Sequence, residues 1–201
     1  MVKKTNEVII KPMTKKEIRK VANQSILNGK TKQEIFEALK ETSYRTPEDL
    51  AKIIRTVPSL QARKKYKALN ITLIVIFSLT ILFLALAGIS SIISNEIMRL
   101  SIVFIWLIVY IALLIGVTRY KSGSYWWIAL CTILGLIRFL GIMLTGSFTP
   151  LSLIDLAIHI GVIWIGLYLH SKLFPAYLTV KERYQDSQGQ SRIRNVIKFE
   201  D

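Results

Sequence analysis

Hydrophobic and polar positions divide the chain into a polar first third, a long apolar middle and a polar end. Four apolar runs occupy the middle, at residues 69–93, 98–118, 124–146 and 151–171. Each run is about 20 residues or longer, and a helix of that length, rising about 1.5 Å per residue, spans the ~30 Å hydrocarbon core of a bilayer. The pattern therefore predicts four transmembrane helices within residues 69–174.

The polar first third carries helix-start signals. Thr14-Lys-Lys-Glu17 and Thr31-Lys-Gln-Glu34 both have the spacing of a capping box, and Pro47 stands where a third helix would begin. Gly29 is suited to end the first helix. The apolar residues of each segment fall on one helical face. We predict a small helical domain at residues 14–58 after a flexible N-terminus at 1–13, with helices at 15–28, 32–42 and 47–56.

Charge indicates how these segments are arranged across the membrane. The chain combines 52% hydrophobic residues with a net charge of +14, and most of its 27 lysines and arginines lie in residues 1–67. If the N-terminus is cytoplasmic, only Arg99 lies outside and only Arg138 lies within the membrane, which is a strong positive-inside pattern. The sequence predicts an all-α, multi-pass protein of the cell membrane (inner or plasma membrane), with four spans and both termini cytoplasmic.

A basic helix at residues 59–68 is predicted just before the first span. Its cations are Arg63, Lys64, Lys65 and Lys67. Basic residues at this position attract anionic lipid head groups by about 1 kcal/mol each. We expect this cluster to contact lipid at the cytoplasmic face.

The N-terminal helices also have the arrangement of a helix-turn-helix, which raises the question of DNA binding. A recognition helix presents its first residues to the DNA, and here those residues include Glu48 and Asp49. Two carboxylates would face the phosphates and repel them. The sequence therefore favours a membrane-proximal domain that docks proteins and argues against a nucleic-acid partner.

Three ionisable residues lie well inside the predicted spans: Arg138, Asp155 and His159. Charge within a membrane is costly and indicates a functional site by default. Pairing the third and fourth spans about the short link between them places Arg138 level with His159, and Asp155 about one turn of ~5.4 Å nearer the outer face. The small and polar faces of these two spans are expected to meet.

Three interpretations of this polar cluster remain open. Arg138 and Asp155 could form a structural clamp between the two helices, with His159 as a hydrogen-bonding neighbour. The three residues could instead line a polar cavity for protons, ions or a lipid head group. Alternatively, Arg138 could pair with another subunit of an oligomer.

The motifs of common enzymes do not occur in the sequence. There is no glycine-rich phosphate loop, HExxH or CxxC spacing, and Cys131 is the only cysteine. His159 and His170 are roughly 16 Å apart along a helix, too far to share a metal ion. We expect no catalytic residues, no metal and no cofactor.

The polar end, residues 175–201, is predicted to be a cytoplasmic tail. Residues 176–185 are assigned to a short helix at the membrane surface, and 187–191 to a flexible linker. The remaining segment, 192–201, mixes charged and apolar residues. It is expected to dock either onto the N-terminal domain or onto a partner.

Together these features indicate a general class of function, but they do not indicate a chemical reaction. The first hypothesis is a non-enzymatic scaffold, sensor or accessory subunit of a membrane complex. The alternative is a small oligomeric channel, transporter or membrane-perturbing effector that uses the polar cluster. Both imply a homo-oligomer or a membrane-protein partner in addition to membrane lipids.

Overall fold

The computed structural model describes residues 13–144, 150–185 and 190–199, without the side chains of residues 138–151. It divides into two compact units, residues 1–57 with 176–201, and residues 58–175. In chain order the elements are α1 (Lys15–Leu27), α2 (Lys32–Thr42), α3 (Pro47–Arg55), α4 (Leu60–Lys65), α5 (Lys67–Ile93), α6 (Ile97–Thr118), α7 (Ser122–Leu144), α8 (Pro150–Leu173), β1 (Tyr177–Gln185) and β2 (Ser191–Phe199). All of the predicted flexible segment at 1–13 except its last residue, and most of the predicted linker, lie outside the described residues.

The three predicted N-terminal helices are confirmed, and their starts follow from the capping residues. The Thr14 hydroxyl accepts the Glu17 backbone N–H at 3.3 Å, while the Glu17 carboxylate accepts the Thr14 N–H at 2.7 Å. Thr31 and Glu34 repeat this reciprocal pair at the start of α2. The backbone and hydroxyl hydrogen bonds of Thr31 hold the pKa of Glu34 below its usual value. Gly29 ends α1 with φ +86°.

The core of the first unit is formed by the inner faces of α1–α3. Its buried apolar side chains from these helices include Ile18, Ala22, Ile26, Ile35, Phe36, Leu39, Leu50, Ile53 and Ile54. Residues that the sequence places on one face of each helix are therefore the ones that meet. Ile197, from the opposite end of the described chain, is also only 4% exposed in this unit.

The C-terminal segment corrects two predictions, because it forms a β-hairpin. The surface helix expected at residues 176–185 is wrong, since β1 occupies this stretch and pairs antiparallel with β2 from Tyr177↔Phe199 to Gln185↔Ser191. The fold is thus mostly helical but not all-α. Both strands are rich in β-branched and aromatic residues, which pack well when a partner strand lies opposite, as Val180 does with Val196.

The hairpin packs against α2 through the end of β2. The Phe199 ring lies 5.8 Å from the Phe36 ring, centroid to centroid. The Gln33 side chain donates to the Ile197 carbonyl oxygen at 3.2 Å and accepts the Phe199 backbone N–H at 3.2 Å. The amide group thus bonds to the strand edge much as another strand would. Of the two docking alternatives for this segment, the structure shows contact with the N-terminal helices.

Replacing Gln33 by glutamate should loosen this contact while preserving side-chain size. The carboxylate can still accept from Phe199 N–H, but it repels the Ile197 carbonyl to which the amide donated. We expect a local cost of about 1–3 kcal/mol, and hence hydrogen exchange at the Phe199 amide that is faster by roughly fivefold to over a hundredfold. Gln24→Glu, at an exposed position of α1, is the matched control. Unchanged exchange in Gln33→Glu would contradict the proposed role of the amide.

The second unit consists of α4 and two antiparallel helix pairs, α5 with α6 and α7 with α8. Three of its helical segments are long and apolar enough to cross a membrane: Lys67–Ile93, Ile97–Thr118 and Ser152–Leu173. The described part of α7 up to Ile137 is apolar but shorter. Tight turns link α5 to α6 and α6 to α7, where Asn95 and Tyr120 adopt φ values of 58° and 51°. Three of the four predicted spans are therefore confirmed as helices of suitable length and composition.

The described core of this unit lies toward one end of the helices. It combines the start of α5, the end of α6, the start of α7 and the end of α8, as antiparallel packing requires. Its buried residues include Leu73, Phe77, Leu113, Val117, Ile128, Leu169 and Leu173. Large apolar side chains such as Phe83, Ile105 and Trp164 are more than half exposed. Such surfaces fit helices that are surrounded by lipid.

Candidate functional site

Asp155 and His159 lie one turn apart on α8 and are in contact. The His159 Nδ1 atom lies 2.8 Å from the Asp155 carbonyl oxygen and 3.4 Å from its Oδ1 carboxylate oxygen. Because a carbonyl oxygen only accepts hydrogen bonds, Nδ1 is the donor and carries a proton. The spacing of four residues produces this contact, since such residues are neighbours on a helix surface.

The His159 ring packs against α7 at Gly135. A Cβ atom added to Gly135 would lie 2.9 Å from His159 Nε2 and 3.1 Å from Cδ2. Farther along the same helix pair, a Cβ on Gly166 would lie 3.4 Å from Ile128 Cγ2 and from the Tyr125 carbonyl oxygen. Glycines thus allow α7 and α8 to approach closely, and the expected contact between their small and polar faces is present at Gly135 and His159.

The third member of the predicted polar cluster, Arg138, belongs to α7, but its side chain lies outside the described residues. Its predicted pairing with Asp155 therefore stays a prediction. The Asp155 side chain is 61% exposed and that of His159 is 26% exposed. An exposed carboxylate in an apolar helix is expensive in lipid, so Asp155 requires a polar neighbour or water. Among the described residues, no group of three His, Cys, Asp or Glu side chains could hold a metal ion.

A second polar cluster lies where α4 meets the bundle, and the sequence analysis missed it. This junction cluster comprises Arg63, Tyr66, Asn70, Tyr120 and Tyr125. The Tyr125 hydroxyl donates to Asn70 Oδ1 at 2.5 Å, joining α7 to α5. The Arg63 guanidinium lies 5.4 Å from the centre of the Tyr120 ring, joining α4 to the turn before α7.

The same end of the bundle holds further contacts of α8 with this region. The Tyr66 and Tyr168 rings pack edge to face with centroids 5.9 Å apart. His170 Nδ1 lies 3.2 Å from the Ser122 carbonyl oxygen. The first contact joins α8 to the junction between α4 and α5, and the second joins α8 to the start of α7. The sequence signal for this cluster is Asn70, which is polar at the start of an apolar run.

The four cations predicted to contact lipid differ in their surroundings. Lys64, Lys65 and Lys67 are exposed, whereas Arg63 is half-buried. Burial removes water from the Arg63 guanidinium and lowers its pKa below the usual value. The three lysines are therefore accessible to solvent, while Arg63 belongs to the junction cluster, and contact of these cations with lipid head groups stays a prediction.

Glu182 organises the cations of the hairpin. Its Oε1 atom lies 2.8 Å from Lys198 Nζ, and its Oε2 atom lies 3.7 Å from Arg194 Nη2. The hydrogen bond and charge of Lys198, with a smaller contribution from Arg194, lower the pKa of Glu182 from 4.5. A lowered pKa in the folded state means that this stabilisation is present above pH 4.5 and is lost as the pH falls through the lowered value.

Glu182→Gln should therefore destabilise the hairpin at neutral pH and have little effect in acid. Hydrogen exchange of the hairpin amides, compared between variant and unmodified protein at each pH, measures the difference. Glu41→Gln, at an exposed position of α2, is the matched control and should show no such pH dependence. A difference for Glu182→Gln that is equal at every pH would contradict the ionic contribution.

The geometry thus offers two groups of interest, the Asp155–His159 pair with its neighbour Gly135, and the junction cluster. Comparison with protein-family models, with curated proteins and with solved structures gave no match. The proposed function therefore depends on the residues of the chain itself.

Proposed function

We propose that this protein is a four-span integral membrane protein of the cell membrane whose terminal segments form a cytoplasmic docking domain. In this role it serves as a non-enzymatic scaffold, sensor or accessory subunit of a membrane complex. The observation that carries the proposal is the packing of the hairpin on α2. Through this packing, the segments that precede and follow the apolar helices in the chain form one compact unit.

This unit supports an even number of membrane crossings. Segments that fold together lie on the same side of a membrane, so the chain between Val57 and Ala176 would cross it an even number of times. Three helices have suitable length and composition. The 23-residue α7 is long enough to be the fourth, at a rise of about 1.5 Å per residue. The distribution of basic residues favours the cytoplasmic side for the unit.

Docking is supported by large apolar side chains that are exposed in the first unit. Tyr44, between α2 and α3, is 74% exposed, and Leu27, at the end of α1, is 54% exposed. Because more than half of each residue is exposed, both side chains are accessible to a partner. Aromatic anchors of this kind often dominate the affinity of protein interfaces.

Topology is tested by cysteine labelling in intact cells with a membrane-impermeant maleimide, in a Cys131→Ser background. We expect labelling of Ser94→Cys and Ser147→Cys, and labelling of Gly123→Cys and Ser191→Cys only after the membrane is opened. Labelling of Ser191→Cys in sealed cells would contradict the proposed topology. Failure of Ser147→Cys to react from outside would exclude α7 as a span.

The docking role is tested by purification of the full chain in mild detergent from its own membrane. We expect a partner in fixed stoichiometry that is lost in Tyr44→Ser and retained in Thr42→Ser, a nearby conservative change. A chain that purifies only as copies of itself, with equal behaviour of both variants, would contradict the docking role.

A second candidate function is a small oligomeric channel or transporter. The observation that favours it is the exposed Asp155 carboxylate on an apolar helix, which another copy of the chain or a polar pathway would solvate. If Asp155→Asn and Arg138→Gln each leave abundance unchanged but abolish leakage from reconstituted vesicles, this function is supported. If each lowers abundance and the double variant restores it, the pair is a structural clamp.

A further inference from the structure

The hairpin has two different faces, because side chains alternate along each strand. Odd-numbered residues of both strands form the inner face, and two of them, Ile197 and Phe199, pack on the helices of the first unit. Even-numbered residues form the outer face on the opposite side of the two-stranded sheet. The outer face is therefore available for a contact outside this unit.

Both faces of the hairpin carry the same net positive charge, because the exposed Lys181 and Arg183 lie on the inner face while the outer face has three cations and one carboxylate. The outer face differs in that it lies opposite the side on which Ile197 and Phe199 contact the helices. Arg192, Arg194 and Lys198 lie on it, with Glu182 as the only carboxylate among its residues. Glu182 contacts Lys198 and Arg194, and the Arg194 guanidinium lies 5.4 Å from the centre of the Tyr184 ring. These contacts hold the cations on one side of the sheet, where they can act together on an anionic surface.

Apolar groups accompany these cations on the same face. Leu178 is 50% exposed and Tyr184 is 39% exposed. Cations beside exposed aliphatic and aromatic side chains suit the head-group layer of a bilayer, which is charged at its surface and apolar just beneath it. A nucleic acid or a purely acidic peptide would make no use of the exposed Leu178.

The hairpin is tethered close to the end of an apolar helix. α8 ends at Leu173 and β1 begins at Tyr177. Only residues 174–176 separate the two elements, so the linker between them is short. A short linker keeps the hairpin at a high effective concentration near the membrane that holds α8. Even a weak affinity of the hairpin for lipid would then keep it bound most of the time.

We infer that the outer face of the hairpin binds the head groups of acidic phospholipids in the bilayer that holds α5–α8. This contact is separate from the one predicted for the basic residues Arg63, Lys64, Lys65 and Lys67. It rests on the proposed membrane insertion of the helices and not on the proposed docking function.

The test uses the full chain in nanodiscs of phosphatidylcholine alone or mixed with phosphatidylglycerol. A nitroxide is attached at Val180→Cys on the outer face or at Asn195→Cys on the inner face, in a Cys131→Ser background. We expect a water-soluble nickel chelate to reach the Val180 label about threefold less in acidic than in neutral discs, with access restored by salt. The Asn195 label should respond equally to the chelate in both lipids.

Charge variants identify the residues responsible. Arg192→Gln combined with Arg194→Gln should abolish the lipid dependence at Val180, whereas Lys16→Gln combined with Lys20→Gln, an equal loss of charge on α1, should preserve it. The inference is overturned if the Val180 label responds equally in both lipids, or if both double variants act alike. Protection by an added acidic peptide or nucleic acid, without protection by acidic lipid, also overturns it. Failure of the chain to enter nanodiscs would instead contradict the proposed membrane function.

Discussion

Replacing Gly116 by alanine is expected to separate α6 from α7 and to destabilise the bundle. A Cβ atom at this position would overlap the Ser124 hydroxyl oxygen and lie 2.7 Å from Ser124 Cβ. Rotation of the hydroxyl relieves the first overlap but not the second, so the backbone must move. Overpacking of this kind costs about 1–3 kcal/mol, equivalent to a fall of about 5 °C in the midpoint of thermal unfolding.

Two variants control this prediction. Gly161→Ala in α8 adds the same atom where nothing lies within 4 Å, and it should leave the unfolding midpoint unchanged or higher. Ser124→Gly removes both clashing atoms and should recover stability when combined with Gly116→Ala. If Gly116→Ala and Gly161→Ala have the same midpoint in detergent, the close packing of α6 on α7 is incorrect.

Tyr125→Phe is expected to have the second large effect, because it removes one hydroxyl from the junction cluster. Tyr125 is fully buried and Asn70 is 2% exposed, so water cannot readily replace the lost hydrogen bond. An unsatisfied buried polar group costs about 1–3 kcal/mol. Thermal unfolding of the purified protein should register this loss.

The coupling between the two residues can be isolated by a double-mutant cycle. Asn70→Leu combined with Tyr125→Phe leaves no polar group unsatisfied and should be more stable than Tyr125→Phe alone. Tyr168→Phe is the matched control, since it keeps the ring contacts of Tyr168 with Tyr66 and Trp164. Additive effects of the two substitutions would show that the hydrogen bond contributes nothing.

The N-terminal helices could be predicted closely because their signals are local. A hydroxyl at Thr14 and a carboxylate at Glu17 specify a helix start within four residues, and Thr31 with Glu34 does the same. Long apolar runs are equally local, since length and composition alone indicate a helix that can span a membrane. These features need no knowledge of the rest of the fold.

The hairpin was missed because a strand depends on its partner. Tyr177 pairs with Phe199, and no pattern within 177–185 alone reveals that contact. Proximity to the last apolar run favoured a surface helix instead. The burial of Ile197 against helices from the other end of the chain depends on residues still farther away in the sequence, so it is harder still to predict.

The Asp155–His159 pair and the junction cluster also differ in how far the sequence alone indicates their contacts. The contact of Asp155 with His159 follows from a spacing of four residues on one helix, so the sequence indicates it directly. The bond between Asn70 and Tyr125 joins two helices and depends on how they cross. Asn70 is a polar residue in an apolar run, but only the packing identifies its partner.

The participation of β2 in the first unit has a consequence for biosynthesis. The ribosome releases α1–α3 first, yet Ile197 and Phe199, which complete their packing, are synthesised only after α8. Domains usually fold as they emerge from the ribosome, but the contacts of this unit with β2 can form only after α4 to α8 have been synthesised. During that interval Phe36 lacks its ring contact, so a nascent chain halted after α8 would present an apolar surface to chaperones.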